Sequence, residues 1–389
     1  MPAATTDGMA GVVVANSEIC YIDGEAGKLV YRGYSIEDLA EHSTFEEVAY
    51  LLWKGRLPLK EELDELNAMF SEERKVPNAV YQVLYHLPPL TIPMDALRTL
   101  VSYLAGADPE VDDNSPEANF RKAVRLTAKI PTLIAAFHRH QNDEEPIRPR
   151  KEGSLAENFL YMLTGQIPDP LVSRTIDVSL ILHAEHGMNA STFAGRVASS
   201  TLADMHSAVV AAISTLKGPL HGGANALVLR MLREIGSPEN AEAYVRRVLE
   251  GEYTIPGLPP KRIPGFGHRV YKAWDPRALI LRDLSRKMGE KIGDTRWIDI
   301  SEAVIAAAEK AGLFEKGVYP NVDFFSASTY YTCGIRGRLF TPVFAAARIV
   351  GWTAHIMEQH ADNKLIRPRA NYVGPQDLKW VPVEQRSAG

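Results

Sequence analysis

Apolar residues recur at intervals of three and four through most of the chain, the spacing that lines one face of a helix. "SIEDLAEH" and "TFEEVAYLLWKG" each open on Ser or Thr with an acid three residues later, a capping-box spacing, and the second stops at Gly55. Similar runs follow in "KEELDELNAMFSEE", "MDALRTLVSYLAG", "EANFRKAVRLTAKIPTLIAAFHRH", "SLAENFLYMLTG", "SRTIDVSLILHAEHG" and "MHSAVVAAISTLKG". Pro131, inside the third of these, is expected to kink or interrupt its helix, because it lacks a donor and crowds the preceding turn. Strand-like alternation is confined to "GVVVANSEICYIDGEAGKLVYRG", where Gly24 and Gly27 permit a hairpin. The pattern predicts an all-α fold with a small N-terminal β hairpin.

After Gly218 the helical runs become shorter and more charged: "GANALVLRMLREIG", "ENAEAYVRRVLEG", "DPRALILRDLSRKMGEK" and "ISEAVIAAAEKAG". "TPVFAAARIVGWTAHIMEQHAD" then returns to a buried character. This break predicts two bodies: a large helical domain from residues 1–220 and 329–389, and a small one from 221–328 inserted between them. Short-period repeats and low-complexity segments are not expected, and the tail "VPVEQRSAG" reads as mobile.

Composition narrows the class. Of 389 residues, 46% are apolar and 23% charged, a globular balance, and 43 Lys and Arg against 48 Asp and Glu leave a net charge of −5. General attraction to nucleic acid or an anionic membrane is therefore disfavoured, and anion binding must be local. Two cysteines, Cys20 and Cys333, are too few for a disulfide framework or thiolate metal site and fit a reducing cytoplasm. The N-terminus has no basic region followed by an apolar run, and no stretch reads as a bilayer span.

Local positive charge is concentrated in "KRIPGFGHRVYKAWDPRA", residues 261–278. Gly265 and Gly267 lack the third glycine and strand context of a dinucleotide loop, but they let a backbone approach a ligand closely. Lys261, Arg262, Arg269, Lys272 and Arg277 would answer phosphates or carboxylates, unless the segment is a solvated basic turn. His183 and His186 fall on one face of a helix end in "HAEHGMNAS", and His221 begins a glycine-rich helix start in "GPLHGGAN". As metal ligands the pair would need a third donor, and no zinc spacing supplies it; packing histidines or a ligand site remain. Asp323, between apolar neighbours in "YPNVDFFSAS", reads as a base with a raised pKa or as a helix N-cap. Arg348 in "FAAARIVGW" has no acid within one turn, so its partner is distant in sequence or is a ligand.

Taken in order, "HAEHGMNAS", "GPLHGGAN", "PGFGHRVYKAWDPRA", "YPNVDFFSA", "FAAARIVGW" and "LIRPRANYVGP", with "YRGYSIEDLA" near the start, resemble the citrate synthase family over essentially the whole chain. The resemblance implies a two-domain, almost wholly helical homodimer that condenses acetyl-CoA with oxaloacetate and hydrolyses the citryl thioester. It implies Asp323 as the base, His221 as donor to the thioester oxygen and His268 as the group that polarises the oxaloacetate carbonyl. His186, Arg277, Arg348 and Arg367 would hold oxaloacetate, Arg367 from the partner subunit. Ser191 would orient His221, and Asn321 would shape the turn carrying Asp323. CoA would lie along Arg262, Ile263, Pro264, Gly265, Phe266 and Gly267, with Lys261, Arg269 and Lys272 flanking. No metal and no resident cofactor are implied, acetyl-CoA being a substrate, and domain closure over oxaloacetate would complete the site.

Departures are small. Ala226 stands where relatives often carry an acid or amide, and the chain starts too near the first motif for the N-terminal extension of NADH-inhibited hexamers. Three rivals remain. A 2-methylcitrate synthase would use propionyl-CoA with the same residues, although its relatives often have proline after this histidine, where Arg269 stands here. A non-catalytic metabolite sensor would keep the anion site without the chemistry, and a histidine-ligated metalloenzyme would lose activity to chelators.

Overall fold

The computed structural model describes residues 7–9 and 11–386. Strands β1 (Cys20–Asp23) and β2 (Lys28–Tyr31) form the expected antiparallel hairpin, with Cys20 opposite Tyr31 and Asp23 opposite Lys28. A third strand, β3 (Tyr34–Ser35), extends it through a two-residue turn in which Arg32 (φ 48°) and Gly33 (φ 94°) both have positive φ. The pattern did not predict β3, which is too short to show alternation.

The rest is helical, as the spacing predicts. Ser35 caps α1 (Ile36–His42) by accepting from the Asp38 N–H, and Thr44 with Glu47 forms a capping box on α2 (Phe45–Lys54), which Gly55 ends in the left-handed conformation. There follow α3 (Lys60–Glu73), α4 (Asn78–Tyr85), α5 (Pro93–Ala105), α6 (Pro116–His140) and α7 (Leu155–Thr164). Next come α8 (Pro170–His183), α9 (Ala190–Ser199) and α10 (Met205–Leu216). Then α11 (Ala224–Ile235), α12 (Ala241–Glu250), α13 (Pro276–Ile292), α14 (Arg296–Lys310), α15 (Val322–Thr332) and α16 (Phe340–Ala361) complete the order.

Three local differences from the sequence pattern matter. Helices α4 and α9, not singled out in the sequence, span only 8 and 10 residues, too few for the three-and-four spacing to repeat; α9 is fixed by its Asn189 cap, which accepts from the Thr192 N–H. Pro131 does not break α6, because nearly every residue from Ala118 to Phe137 faces packed core and tertiary burial offsets the lost backbone bond. Helix α8 ends at His183, so His186 sits in the loop beyond it, where Gly187 (φ 58°) reverses the chain.

Helix α16 is the centre of the molecule, packed against α2, α6, α8, α9 and α10. The continuous helix Gly337–Ala361 has the length and hydropathy of a membrane span, contrary to the sequence reading, but 94% of its most apolar window is buried inside the protein. Helices α11 to α15 pack on one another, α11 and α13 against α15 and α12 against α14, and meet the rest through α1, α8 and α16. The expected site residues lie where these two groups of helices meet.

Candidate active site

The loop at 263–267 is stitched to the start of α15. The Gly267 N–H donates to the Tyr319 carbonyl at 2.8 Å, and the Asn321 N–H donates to the Gly265 carbonyl at 2.8 Å. Asn321 Nδ2 donates to the Gly267 carbonyl at 2.8 Å, while its Oδ1 accepts from the Asp323 N–H at 3.0 Å. Asn321 is therefore the N-cap of α15, which removes the reading of Asp323 as the cap. Gly265 (φ 77°) is needed for protein packing: a Cβ there would stand 2.8 Å from both Phe324 Cβ and Val228 Cγ2.

Hydrogen bonds fix the tautomers of both expected catalytic histidines. His268 Nδ1 accepts from the backbone N–H groups of Val270 and Tyr271, at 3.0 and 3.1 Å, which places its proton on Nε2. His221 Nε2 accepts from the Ser191 N–H at 3.3 Å and lies 2.9 Å from Ser191 Oγ, which places its proton on Nδ1. Trp352 Nε1 donates to that same hydroxyl at 3.1 Å, and Asn189 Oδ1 lies 2.8 Å from it. Burial, reinforced by the positive charge of Arg277 for His268 and of Arg348 for His221, pushes each imidazole down to about 4. At neutral pH both are uncharged N–H donors.

Arg277 is buried against Asp275, with Nε to Oδ1 at 3.0 Å and Nη2 to Oδ2 at 2.8 Å. Asp275 also caps α13 and accepts from the Val322 N–H at 3.0 Å, so one carboxylate ties the start of α13 to the start of α15. Burial alone would favour neutral side chains; the pairing outweighs it, holding Asp275 below and Arg277 above its ordinary range. Arg348, also buried, donates through Nε to the His183 carbonyl at 2.7 Å and has no carboxylate within salt-bridge distance among the described residues. Burial lowers its pKa, and the nearby Glu185 opposes that shift. His186 Nε2 lies 3.2 Å from the Tyr271 hydroxyl, and its ring centre is 5.2 Å from that of His268. Burial and then Arg277 push His186 well below its usual range.

Asp323 carries the carboxylate of this cluster. Its Oδ1 is shielded from solvent without a hydrogen-bond partner, and burial pushes the pKa up to about 6 against the opposing pull of Arg277. Near neutrality it is ionised but poorly solvated, the condition of a strong base. Asp323 and His221 both feel the charge of Arg348, and Asp323 and His268 that of Arg277, so two neutral donors, one buried base and two buried guanidiniums form one electrostatic cluster.

A sequence profile described as "Citrate synthase, C-terminal domain" matches residues 8–369. The chain belongs to the citrate synthase family. It is 47% identical over 386 residues to a protein named citrate synthase 2 from Bacillus subtilis, covering 98% of this chain and 99% of that one. A protein of the same organism named citrate/2-methylcitrate synthase is 41% identical, covering 95% and 96%. Among solved structures, citrate synthase from Pyrobaculum aerophilum superposes with a TM-score of 0.90 at 43% identity, covering 97% and 95%. The citrate synthase of Thermoplasma acidophilum, solved as a ternary complex with carboxymethyl coenzyme A and oxaloacetate, superposes with 0.90 at 32% identity, covering 97% and 98%.

The remaining expected residues divide by position. A cavity of about 540 Å³ is lined by Lys261, Arg262, Ile263 and Phe266, together with Lys310, Lys316 and the acids Glu242 and Glu250. Pro264 and Gly265 are buried behind its wall, and Gly267 is partly covered. Arg269 and Lys272 are exposed; Arg269 Nη2 lies close to Gly8, and the backbone N–H of Lys272 donates to the Gly24 carbonyl at 2.9 Å. The N-terminal hairpin seats directly on the loop after His268, since a Cβ on Gly24 would stand 2.2 Å from the Val270 carbonyl oxygen and one on Gly27 2.7 Å from that of Trp274. Arg367 is exposed on the segment after α16 and makes no hydrogen bond to the cluster among the described residues.

Sequence reading missed Tyr271, Trp352 and Asn189. A signal existed for Tyr271, three residues after His268 in the charged loop; none existed for Trp352, which reaches Ser191 from α16. The described residues hold no group of three His, Cys, Asp or Glu side chains suited to a metal ion.

Proposed function

We propose that the chain condenses acetyl-CoA with oxaloacetate and hydrolyses the resulting citryl-CoA to citrate and CoA. The observation that carries this reading is the pair of neutral imidazoles with opposite tautomers beside one carboxylate whose pKa is near 6. Asp323 takes a proton from the methyl group of acetyl-CoA while His221 Nδ1–H bonds the thioester oxygen, so the electron pair released from carbon is held as an enol-like species. That carbon attacks the ketone carbon of oxaloacetate. The carbonyl electron pair moves to oxygen, which takes a proton from His268 Nε2, and the proton held by Asp323 returns to His268 through solvent; water then cleaves the thioester, its hydroxyl staying on the acyl carbon as the new carboxyl group and its proton going to the CoA sulfur. The balance needs no resident cofactor.

Arg277, Arg348 and His186 supply the carboxylate contacts, and Asp275 keeps Arg277 charged and aimed. The cavity edged by Lys261 and Arg262 suits the phosphates and adenine of CoA, with the backbone of 263–267 leading toward Asp323. Residues 221–328 would move as the small domain over the remainder. The segment after α16 exposes Leu365, Tyr372, Val373, Leu378 and Trp380, apolar surface that favours seating on a second copy, and we place Arg367 of this segment in the partner's site. A cytoplasmic location fits the two unpaired cysteines.

The test is thiol release from acetyl-CoA and propionyl-CoA at equal oxaloacetate. Faster turnover of acetyl-CoA is expected; faster turnover of propionyl-CoA would move the assignment to 2-methylcitrate, one of the two activities in the dual-named relative's name. One methylene discriminates by only about 1–3 kcal/mol, so measurable activity with both is compatible with the proposal. No release from either would end it.

A further inference from the structure

A second cavity, of about 690 Å³, opens between α11 and the 3-10 turn Gly337–Leu339, away from the residues assigned above. Arg230, Arg233, Arg336 and Arg338 line it, with Glu234 the single acid among its lining residues. Glu234 is already engaged: Arg230 Nε donates to it at 3.0 Å, and the hydroxyls of Tyr244 and Tyr253 donate to it at 2.7 and 2.9 Å. The other three guanidiniums have no carboxylate within 4 Å among the described residues, and neutral groups hold them in place. Arg336 donates to Asn142 Oδ1 at 2.7 Å and Arg338 to Gln141 Oε1 at 3.3 Å, while Arg233 lies over the Tyr331 ring at 4.8 Å.

Amide oxygens and an aromatic face orient a guanidinium without cancelling its charge. The three guanidiniums left without a carboxylate repel one another, in a chain whose net charge is −5, and an anion with several charges spaced along it relieves all three at once. Forked guanidinium donors match phosphate oxygens best, and the volume falls within the usual range for small-molecule sites. We propose that this cavity binds a polyphosphate chain, either free or as part of a nucleoside triphosphate. The site bridges α11, whose start follows His221, to the turn that leads into α16 and Arg348. Thr341 Oγ1 already links the two by donating to the Gly222 carbonyl at 2.9 Å, so an anion held here would stiffen the seam beside His221.

Titration calorimetry of the full chain with tripolyphosphate and, separately, with ATP tests this. The control variant Lys261→Gln/Arg262→Gln weakens the other basic cavity. Wild type and control should both bind tripolyphosphate, while Arg336→Gln/Arg338→Gln should bind at least tenfold more weakly with an unchanged melting curve. Equal affinity for ATP and tripolyphosphate would assign recognition to the phosphate chain alone; tighter ATP binding would add a base contact in the same cavity. The proposal is overturned if tripolyphosphate does not bind, if the Arg336/Arg338 variant binds like wild type, or if binding is lost in the Lys261/Arg262 variant instead.

Discussion

Asp275 grips Arg277 through two hydrogen bonds, at 3.0 and 2.8 Å, and holds the first N–H of α15 with the same carboxylate. It therefore sets both the guanidinium proposed to hold oxaloacetate and the helix that carries Asp323. Asp275→Asn keeps the shape but leaves a buried charge unpaired, which costs about 3–5 kcal/mol. The melting temperature should fall and the KM for oxaloacetate should rise at least tenfold. An unchanged KM would show that Arg277 does not need its partner to bind substrate.

Asp323→Asn should lower kcat by about 10²- to 10⁴-fold, the usual range for losing a positioned base, with oxaloacetate affinity retained. In the wild type, kcat/KM should rise with pH and level off above about 6, as the carboxylate ionises. Stability should move the other way. The folded state holds this proton more tightly than the unfolded chain, so the group stabilises the fold at low pH. That contribution is lost as pH rises from 3.8 through about 6, where the folded chain must bury a charge. Asp323→Asn should thus melt higher than wild type at pH 8 and no higher at pH 4.

Ser191→Ala removes the hydroxyl that faces His221 Nε2, while leaving the backbone N–H that also bonds it. Losing one such bond costs on the order of 1–3 kcal/mol, about a tenfold to hundredfold fall in kcat. Oxaloacetate binding, measured without acetyl-CoA, should not change, because His221 faces the other substrate. A variant that lost both equally would place Ser191 in the general packing around Trp352.

Gly24→Ala drives a methyl group to 2.2 Å from the Val270 carbonyl oxygen, so the loop that fixes the His268 tautomer must shift. The kcat should fall at least tenfold. Gly33→Ala is the control in the same hairpin: its φ of 94° makes the substitution strained, but nothing lies within 4 Å. It should cost about 1 kcal/mol of stability with kcat unchanged. Equal losses of kcat in the two variants would mean that the hairpin matters only for folding.

Much of this site could be read from the chain because its parts are short-range. Asp275 at the cap of α13 and Arg277 two residues later are local features, and Ser35, Thr44 and Gly55 mark helix ends by chemistry that acts within four residues. What escaped depends on tertiary contact. His186 looked helical because the first stop signal in the sequence is Gly187, whereas the helix ends earlier, at His183, where no Gly or Pro marks it. Pro131 looked disruptive because its missing bond is visible in sequence while the core around α6 is not. The role of Gly265 needed Phe324 and Val228 beside it, residues whose approach no local spacing announces.

The exposed position of Arg367 on the arm after α16 has a genetic consequence. If each arm completes the neighbour's site, a subunit defective at Arg367 and one defective at Asp323 place both defects in the same site when mixed and leave the other site intact. Two inactive preparations, dissociated and reassociated together, would then regain activity, with at most one working site per mixed pair. Recessive defects in these two positions would complement each other, while two defects within the Asp275 and Asp323 cluster would not.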